Sequence, residues 1–179
     1  MRLAALLRVR GGIRRSAMAN SKDIPGVIAP PPLIAAATLL LGLALNWFFP
    51  SSLLAGLLPV SARVMIGVVL IVAGGALSFI GSRTFTQAGT NVPPWEPALK
   101  LVITGPYQWL RNPMYVGGIG MLAGIAILIA SDWLLALLVP AALLLHYGVV
   151  LREERYLERK FGESYRQYKA TVPRYGVPF

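Results

Sequence analysis

The residues best suited to chemistry stand in two polar clusters, each set directly against a long apolar run. The first is Gly105-Pro106-Tyr107-Gln108-Trp109-Leu110-Arg111-Asn112-Pro113-Met114-Tyr115-Val116-Gly117, and the second is Arg152-Glu153-Glu154-Arg155. Adjacent glutamates accept hydrogen bonds from an ammonium or a hydroxyl. The aromatic faces of Tyr107, Trp109 and Tyr115 attract cations, a sulfonium among them. A pocket made from both clusters has an apolar floor, aromatic walls and a carboxylate lid. It suits a ligand with a flat aromatic part and a cationic part. Trp109 taken alone reads more simply as part of the aromatic belt at a membrane surface.

Apolar helices must bring these clusters together. Segments 33–49, 62–81, 114–130 and 133–151 approach or reach the length of about 17–25 residues that crosses a bilayer. Pro30-Pro31-Pro32 suits the start of the first segment, and Pro50-Ser51-Ser52 ends it. Only Ser131-Asp132 separates the third from the fourth, which predicts a tight antiparallel helical hairpin. That hairpin makes residues 111–115 neighbours of Glu153 and Glu154. Pro140 predicts a kink in the fourth segment. Residues 82–113 carry Pro93, Pro94, Pro97 and Pro106, which oppose a continuous helix. They predict a structured loop at the membrane surface, with Gln87 to Asn91 shaping the entrance and Trp95 and Glu96 nearby. The charged tail, 152–179, predicts a short interfacial amphipathic helix on the spacing of Leu157 and Phe161. The expected fold is all-α and integral to the membrane. It has about four transmembrane helices, the last two a tight hairpin, with a cytoplasmic loop and a C-terminal amphipathic helix. The organisation reads as a basic lead over 1–32, a first transmembrane hairpin over 33–81, and a catalytic loop, second hairpin and tail over 82–179.

Composition excludes several other classes. The chain is 56% hydrophobic and 13% charged, against about 25% charged in soluble domains. There is no cysteine, which removes disulfides and thiolate metal sites, and a single histidine with seven acids argues against a zinc or di-iron centre. No metal is expected. The net charge of +10 is not a nucleic-acid footprint, because the basic residues stand at the ends of apolar segments. Every Lys and Arg except Arg63 falls on one side of a four-helix topology. The positive-inside rule makes that side cytoplasmic, with both termini there. Residues 1–17 read as a mitochondrial presequence or as an upstream start-site artefact before Met18, and they are set aside from the fold. The Met18 start and compact size point to a bacterial inner membrane. Gly120 and Gly124 stand at GxxxG spacing, which predicts close helix packing, and Gly74-Gly75 reads as a packing notch. Gly117 and Gly118 alternatively let a cofactor approach the backbone. His146 reads either as an intramembrane functional group or as a neutral histidine bonded inside the bundle.

The string GPYQWLRNPMYVGG, the tight hairpin, and REERYLERKFGESYRQYKATVPRYGVPF together resemble the isoprenylcysteine carboxyl methyltransferase family, which is itself similar to the membrane phospholipid methyltransferases. The resemblance covers residues 83–179. It implies a membrane methyltransferase that uses S-adenosylmethionine without a soluble Rossmann fold. By position it implies a cofactor pocket of Leu101, Val102, Tyr107, Asn112, Pro113, Met114 and Tyr115. Glu153, with Glu154 beside it, takes the methionine amine in that reading, and Arg111 takes the cofactor carboxylate or a charge on the acceptor. The catalytic candidates are Arg111, Asn112 and Arg152. Asn112 stands where the family usually has a histidine, and an amide cannot act as a base near pH 7. Tyr147-Gly148-Val149-Val150 lacks the arginine that faces substrate in the prenylcysteine enzymes, which leaves Arg152 as the nearest candidate. The implied function is methyl transfer to a lipophilic acceptor arriving from the bilayer. That acceptor is a prenylated cysteine carboxylate, a phospholipid amine or another small nucleophile. Membrane lipids are expected partners, nucleic acid is not, and no covalent enzyme intermediate is expected. The alternative is a non-catalytic transport or interaction protein that keeps the fold, although the inverted repeats of a transporter are absent from the sequence.

Overall fold

Proline and glycine set where each apolar run begins and ends as a helix. The computed structural model describes residues 23–176, and the expectations for residues 1–17 and the Met18 start lie outside them. Helix α1 (Pro31–Phe48) opens on its own proline, whose missing N–H is no loss at a helix start. The short α2 (Leu53–Leu57) and the long α3 (Val60–Ala88) follow, then α4 (Pro113–Leu128) and α5 (Asp132–Leu145). A π turn (His146–Val150) carries α5 straight into α6 (Leu151–Phe161), and α7 (Glu163–Thr171) completes the series. There is no strand among the described residues. Three helices there are long and apolar enough to cross a membrane: α1, α3 and the continuous 132–161 helix. With 16 residues, α4 is about 24 Å long and shorter than the others. Leu40, Trp47, Val69, Phe79 and Val139 lie exposed along these helices, as side chains facing lipid do. The protein is an integral membrane protein.

Helix α3 exceeds the 62–81 expected from hydropathy and continues through residues 82–88. No glycine or proline interrupts it before Gly89, and the Thr84 and Thr86 hydroxyls donate to the carbonyls of Ile80 and Ser82. Gly89 ends it with φ +72°, a left-handed conformation that favours glycine. The extension lifts Phe85 to the level of the polar clusters.

The α4–α5 hairpin forms as expected, but α1 and α3 do not pair with each other. Instead α3 lies along α4 and α1 lies along α5, so each flanks the hairpin on its own side. A seam of glycines explains the α3–α4 pairing. Gly67 and Gly74 meet Gly124 and Gly117, and Gly81 meets Met114; a Cβ on Gly74 would stand 2.5 Å from the Gly117 carbonyl oxygen. A seven-residue spacing returns to one helix face every two turns, and any side chain there would force the backbones apart. Gly120 stands at the edge of this seam, where a Cβ would lie 3.9 Å from the Gly74 Cα, so of the GxxxG pair Gly124 makes the close approach.

The hairpin turn is capped by Ser131, whose hydroxyl accepts from the Leu134 N–H at 3.2 Å. Asp132 does more than end a turn. Its carboxylate accepts from the Ser51 hydroxyl at 2.6 Å and from the Leu53 and Leu54 N–H groups at 2.8 and 2.9 Å. It thereby fastens the hairpin tip to α2. An Asp132→Ala variant is expected to lose about 1–3 kcal/mol of stability, read as a lower thermal midpoint, with ligand binding at the far end of the helices intact. An unchanged midpoint would mean that water replaces these bonds at no cost.

Helix α5 continues past Pro140, which has no N–H to give to the ladder, and leads into the π turn, a rare feature found often at functional sites. The tail differs from the single helix expected. Gly162, at φ +55°, breaks it into α6 and α7. The buried faces are Glu154 and Tyr156 on α6 and Tyr165 and Tyr168 on α7, while Leu157 and Phe161 are half-buried.

Candidate functional site

The polar top of α3, the loop after it, the 3-10 turn Gly105–Gln108, the start of α4 and helices α6 and α7 enclose a pocket of about 840 Å³, counting the space at its mouth. Leu101, Val102, Tyr107, Arg111, Asn112, Met114, Tyr115, Glu153 and Glu154 all line it. Two other candidates do not. Pro113 is buried at the first turn of α4, and Arg152 turns away, donating from Nη1 to the Gly26 carbonyl at 2.9 Å. Trp109 is 71% exposed and outside the pocket, as an aromatic-belt residue would be.

The two adjacent glutamates have different tasks, because neighbours on a helix point about 100° apart. Glu154 is buried and held by two arginines. Arg111 Nη1 donates to its Oε1 at 2.7 Å, while Arg174 donates from Nε to Oε1 and from Nη2 to Oε2, both at 2.8 Å. Such a fork matches a carboxylate in geometry as well as charge. Glu153 instead accepts one bond from the Tyr115 hydroxyl, at 2.7 Å. Among the described residues it joins no ion pair. Of this adjacent pair, one carboxylate is therefore already neutralised and the other still has acceptor capacity. It also contains an unsatisfied donor: Arg111 Nε is buried and has no partner among the described residues.

Asn112 has a structural role visible here. Its Nδ2 donates to the Arg174 carbonyl at 3.2 Å, and the Arg111 N–H donates to the Pro173 carbonyl at 2.9 Å. The tail thus lies along residues 111–112, two of the residues that line the pocket. His146 is bonded to the Tyr175 hydroxyl through Nδ1 at 2.8 Å and is absent from the pocket wall.

Several wall residues escaped the sequence reading. Phe85 packs on Tyr107 with centroids 4.9 Å apart, and Tyr165, Tyr168 and Pro25 also face the pocket, beside Glu96, which the sequence places near the entrance. The Tyr168 hydroxyl donates to the Tyr107 carbonyl at 2.7 Å. The one available signal was the pair of tyrosines three apart on an otherwise charged helix. Burial pushes the Tyr107 phenol well above its ordinary range and Tyr165 up to about 12. Both stay protonated at neutral pH and can donate hydrogen bonds but not accept a proton as bases.

A second cavity of about 950 Å³, again counting its mouth, adjoins the first. Pro31, Ile34 and Ala35 of α1, Gly118, Ile119 and Leu122 of α4, and Ala141 and Leu145 of α5 line it. Val92, Pro93, Pro94, Met114 and Tyr115 border both cavities. Gly118 faces open space there, while Gly117 is packed against Gly74 and Ser78. Among the described residues no three His, Asp or Glu side chains gather as a metal site would need.

A family model described as phospholipid methyltransferase matches residues 62–164. A protein-S-isoprenylcysteine O-methyltransferase of Xenopus laevis is 35% identical to this chain over 117 residues, which is 64% of this chain and 40% of that protein. The chain therefore matches well under two thirds of the length of that curated relative.

Proposed function

The chain belongs to the phospholipid methyltransferase family, and from that premise we propose that it transfers the methyl group of S-adenosylmethionine to a lipophilic acceptor held in the bilayer. One observation carries the reading: a polar cavity and an apolar cavity share a wall at Met114 and Tyr115. A reaction between a water-soluble donor and a membrane-dissolved acceptor needs that arrangement, since each substrate then reaches the wall from its own phase.

The polar pocket fits the donor on two grounds. Glu153 has acceptor capacity for an ammonium, and the unpartnered Nε of Arg111 can serve a carboxylate. When bound, S-adenosylmethionine supplies an electrophilic methyl group on a sulfonium. The protein's share is positioning and the exclusion of water. Tyr107, Tyr115 and Phe85 give the pocket aromatic faces for a cation. A carboxylate acceptor needs no base. An ammonium acceptor must lose a proton, and Glu153 and Glu96 are the pocket groups able to take it. In this reading Arg111 and Asn112 support the site directly, and Arg152 acts as a tether. The polar pocket lies on the cytoplasmic side of the membrane, in keeping with the placement of every Lys and Arg except Arg63.

Membranes containing the protein, supplied with methyl-labelled S-adenosylmethionine and then treated with mild base, test the proposal. Volatile labelled methanol identifies a carboxyl ester, and base-stable label in the lipid extract identifies methylation at nitrogen, sulfur or carbon. Absence of label together with absence of donor binding overturns the reading. The division of the two cavities has its own test. A Cβ at Gly118 meets nothing within 4 Å among the described residues, so Gly118→Leu fills the apolar cavity without disturbing the helix seam. It is expected to slow labelling at limiting acceptor about tenfold, through steric overlap with the acceptor, and to leave donor affinity unchanged. A loss of donor affinity in this variant would contradict the division.

A further inference from the structure

We propose that residues 23–28 form a strap that closes the donor pocket, and that Tyr156 is the residue that positions it. The inference rests on the reading of that pocket as the donor site. Pro25 is part of the pocket wall, although it stands far outside the 62–164 stretch that the family model matches.

The inner end of the strap is fixed to the π turn. The Ile28 N–H donates to the Gly148 carbonyl at 3.1 Å, and the Ile28 side chain occupies the place where any Cβ on Gly148 would go. Arg152 holds the Gly26 carbonyl. The outer end depends on polar contacts. Lys160 Nζ pairs with the Asp23 carboxylate at 2.7 Å, with side chains 25% and 45% exposed. An exposed pair of that kind is weak and sensitive to salt. Between the two ends lies Gly26, at φ +64°. The strap is therefore firmly held on one side of a glycine and lightly held on the other, which is the construction of a hinged flap.

Tyr156 joins this flap to the rest of the wall. It is 3% exposed. Its single hydroxyl hydrogen is shared between the Asp23 carbonyl and carboxylate, at 3.0 and 3.1 Å, and its oxygen accepts from the Ala98 N–H and from Lys160 Nζ, both at 3.0 Å. One oxygen thus ties together the strap, the loop after α3 and helix α6, three walls of a single pocket. A phenylalanine would fill the same space, so the hydroxyl is there for these bonds and not for packing.

The test uses the full chain in detergent micelles with S-adenosylhomocysteine as the probe, following association and dissociation rates. Tyr156→Phe is expected to release the probe about tenfold faster, from the loss of more than one buried hydrogen bond, in a chain that has a somewhat lower thermal midpoint but is still folded at the assay temperature. High salt should speed release from the parent chain and have much less effect on Lys160→Met, because that variant lacks the pair that salt weakens. The chain has no cysteine, so Asp23→Cys with Lys160→Cys gives a unique pair for a short bismaleimide cross-linker. Cross-linking with the probe bound should trap it, and cross-linking the empty protein should block its access. Release at the parent rate from both Tyr156→Phe and the cross-linked protein would overturn the strap while leaving the donor site standing. Failure of the parent chain to bind the probe at all would remove the donor reading, and the strap's role with it.

Discussion

The Glu153→Gln variant is expected to bind S-adenosylmethionine roughly 10- to 100-fold more weakly than the parent chain, the effect of removing a charge-assisted hydrogen bond. The two glutamates have unequal tasks. Glu154 is saturated by Arg111 and Arg174, whereas Glu153 has only the Tyr115 hydroxyl. Glutamine retains an oxygen that can accept from Tyr115, so the substitution isolates the charge. Tyr115→Phe removes the orienting bond and keeps the charge, and it should weaken binding only about 2- to 10-fold. Isothermal titration of both variants with S-adenosylmethionine and S-adenosylhomocysteine adds an assignment. The second ligand keeps the amine and lacks the sulfonium charge. An equal loss on both ligands places Glu153 at the amine, and a loss confined to the first places it at the sulfonium. Parent-like binding by Glu153→Gln would move the amine to another carboxylate, with Glu96 the next one on the pocket wall.

Much of this site can be read from residue order, for a simple reason. With only Ser131-Asp132 between two apolar runs, the chain must return at once, and the residues before the third segment then meet those after the fourth. Nine of the predicted cofactor-pocket and catalytic positions, Arg111 and Glu153 among them, share one pocket as a result. What order alone does not reveal is the rotation of each side chain. The π turn at 146–150 adds a residue to the ladder just before the glutamates, shifting the face that α6 presents, and nothing in His146-Tyr147-Gly148-Val149-Val150 announces it. Contacts across long separations are equally silent. Arg152 finds Gly26 and Tyr156 finds Asp23 through tertiary packing that local pattern does not encode. Close packing at Gly74, Gly117 and Gly124 is legible from their spacing, whereas the seven-residue register of Gly67, Gly74 and Gly81 is meaningful only once its partner helix is known. The reach of α3 to Ala88 was missed because polarity marks the end of a membrane segment, not the end of a helix.

Glu154→Ala is expected to be the most damaging single change to the architecture of the site. It leaves Arg111, whose side chain is only 9% exposed, without its counter-ion, and removing one partner of a buried pair costs about 3–5 kcal/mol. The same carboxylate anchors Arg174, and Arg174 belongs to the tail segment that bonds Arg111 and Asn112 through the Pro173 and Arg174 carbonyls. The variant should therefore show a lower thermal midpoint and faster amide exchange over residues 172–176 together. Arg174→Ala makes the necessary comparison. It preserves the Arg111–Glu154 pair and removes a side chain that is 26% exposed, so its midpoint should fall much less. High salt should leave the difference between the two variants nearly intact, because a buried pair is poorly screened. If Glu154→Ala melts with the parent chain, the arginines have found other partners and Glu154 is not the keystone of the pocket wall. If instead the midpoint falls and the tail still exchanges at the parent rate, the carboxylate stabilises the pocket without holding the tail, and the placement of the tail rests on Asn112 and the Arg111 N–H.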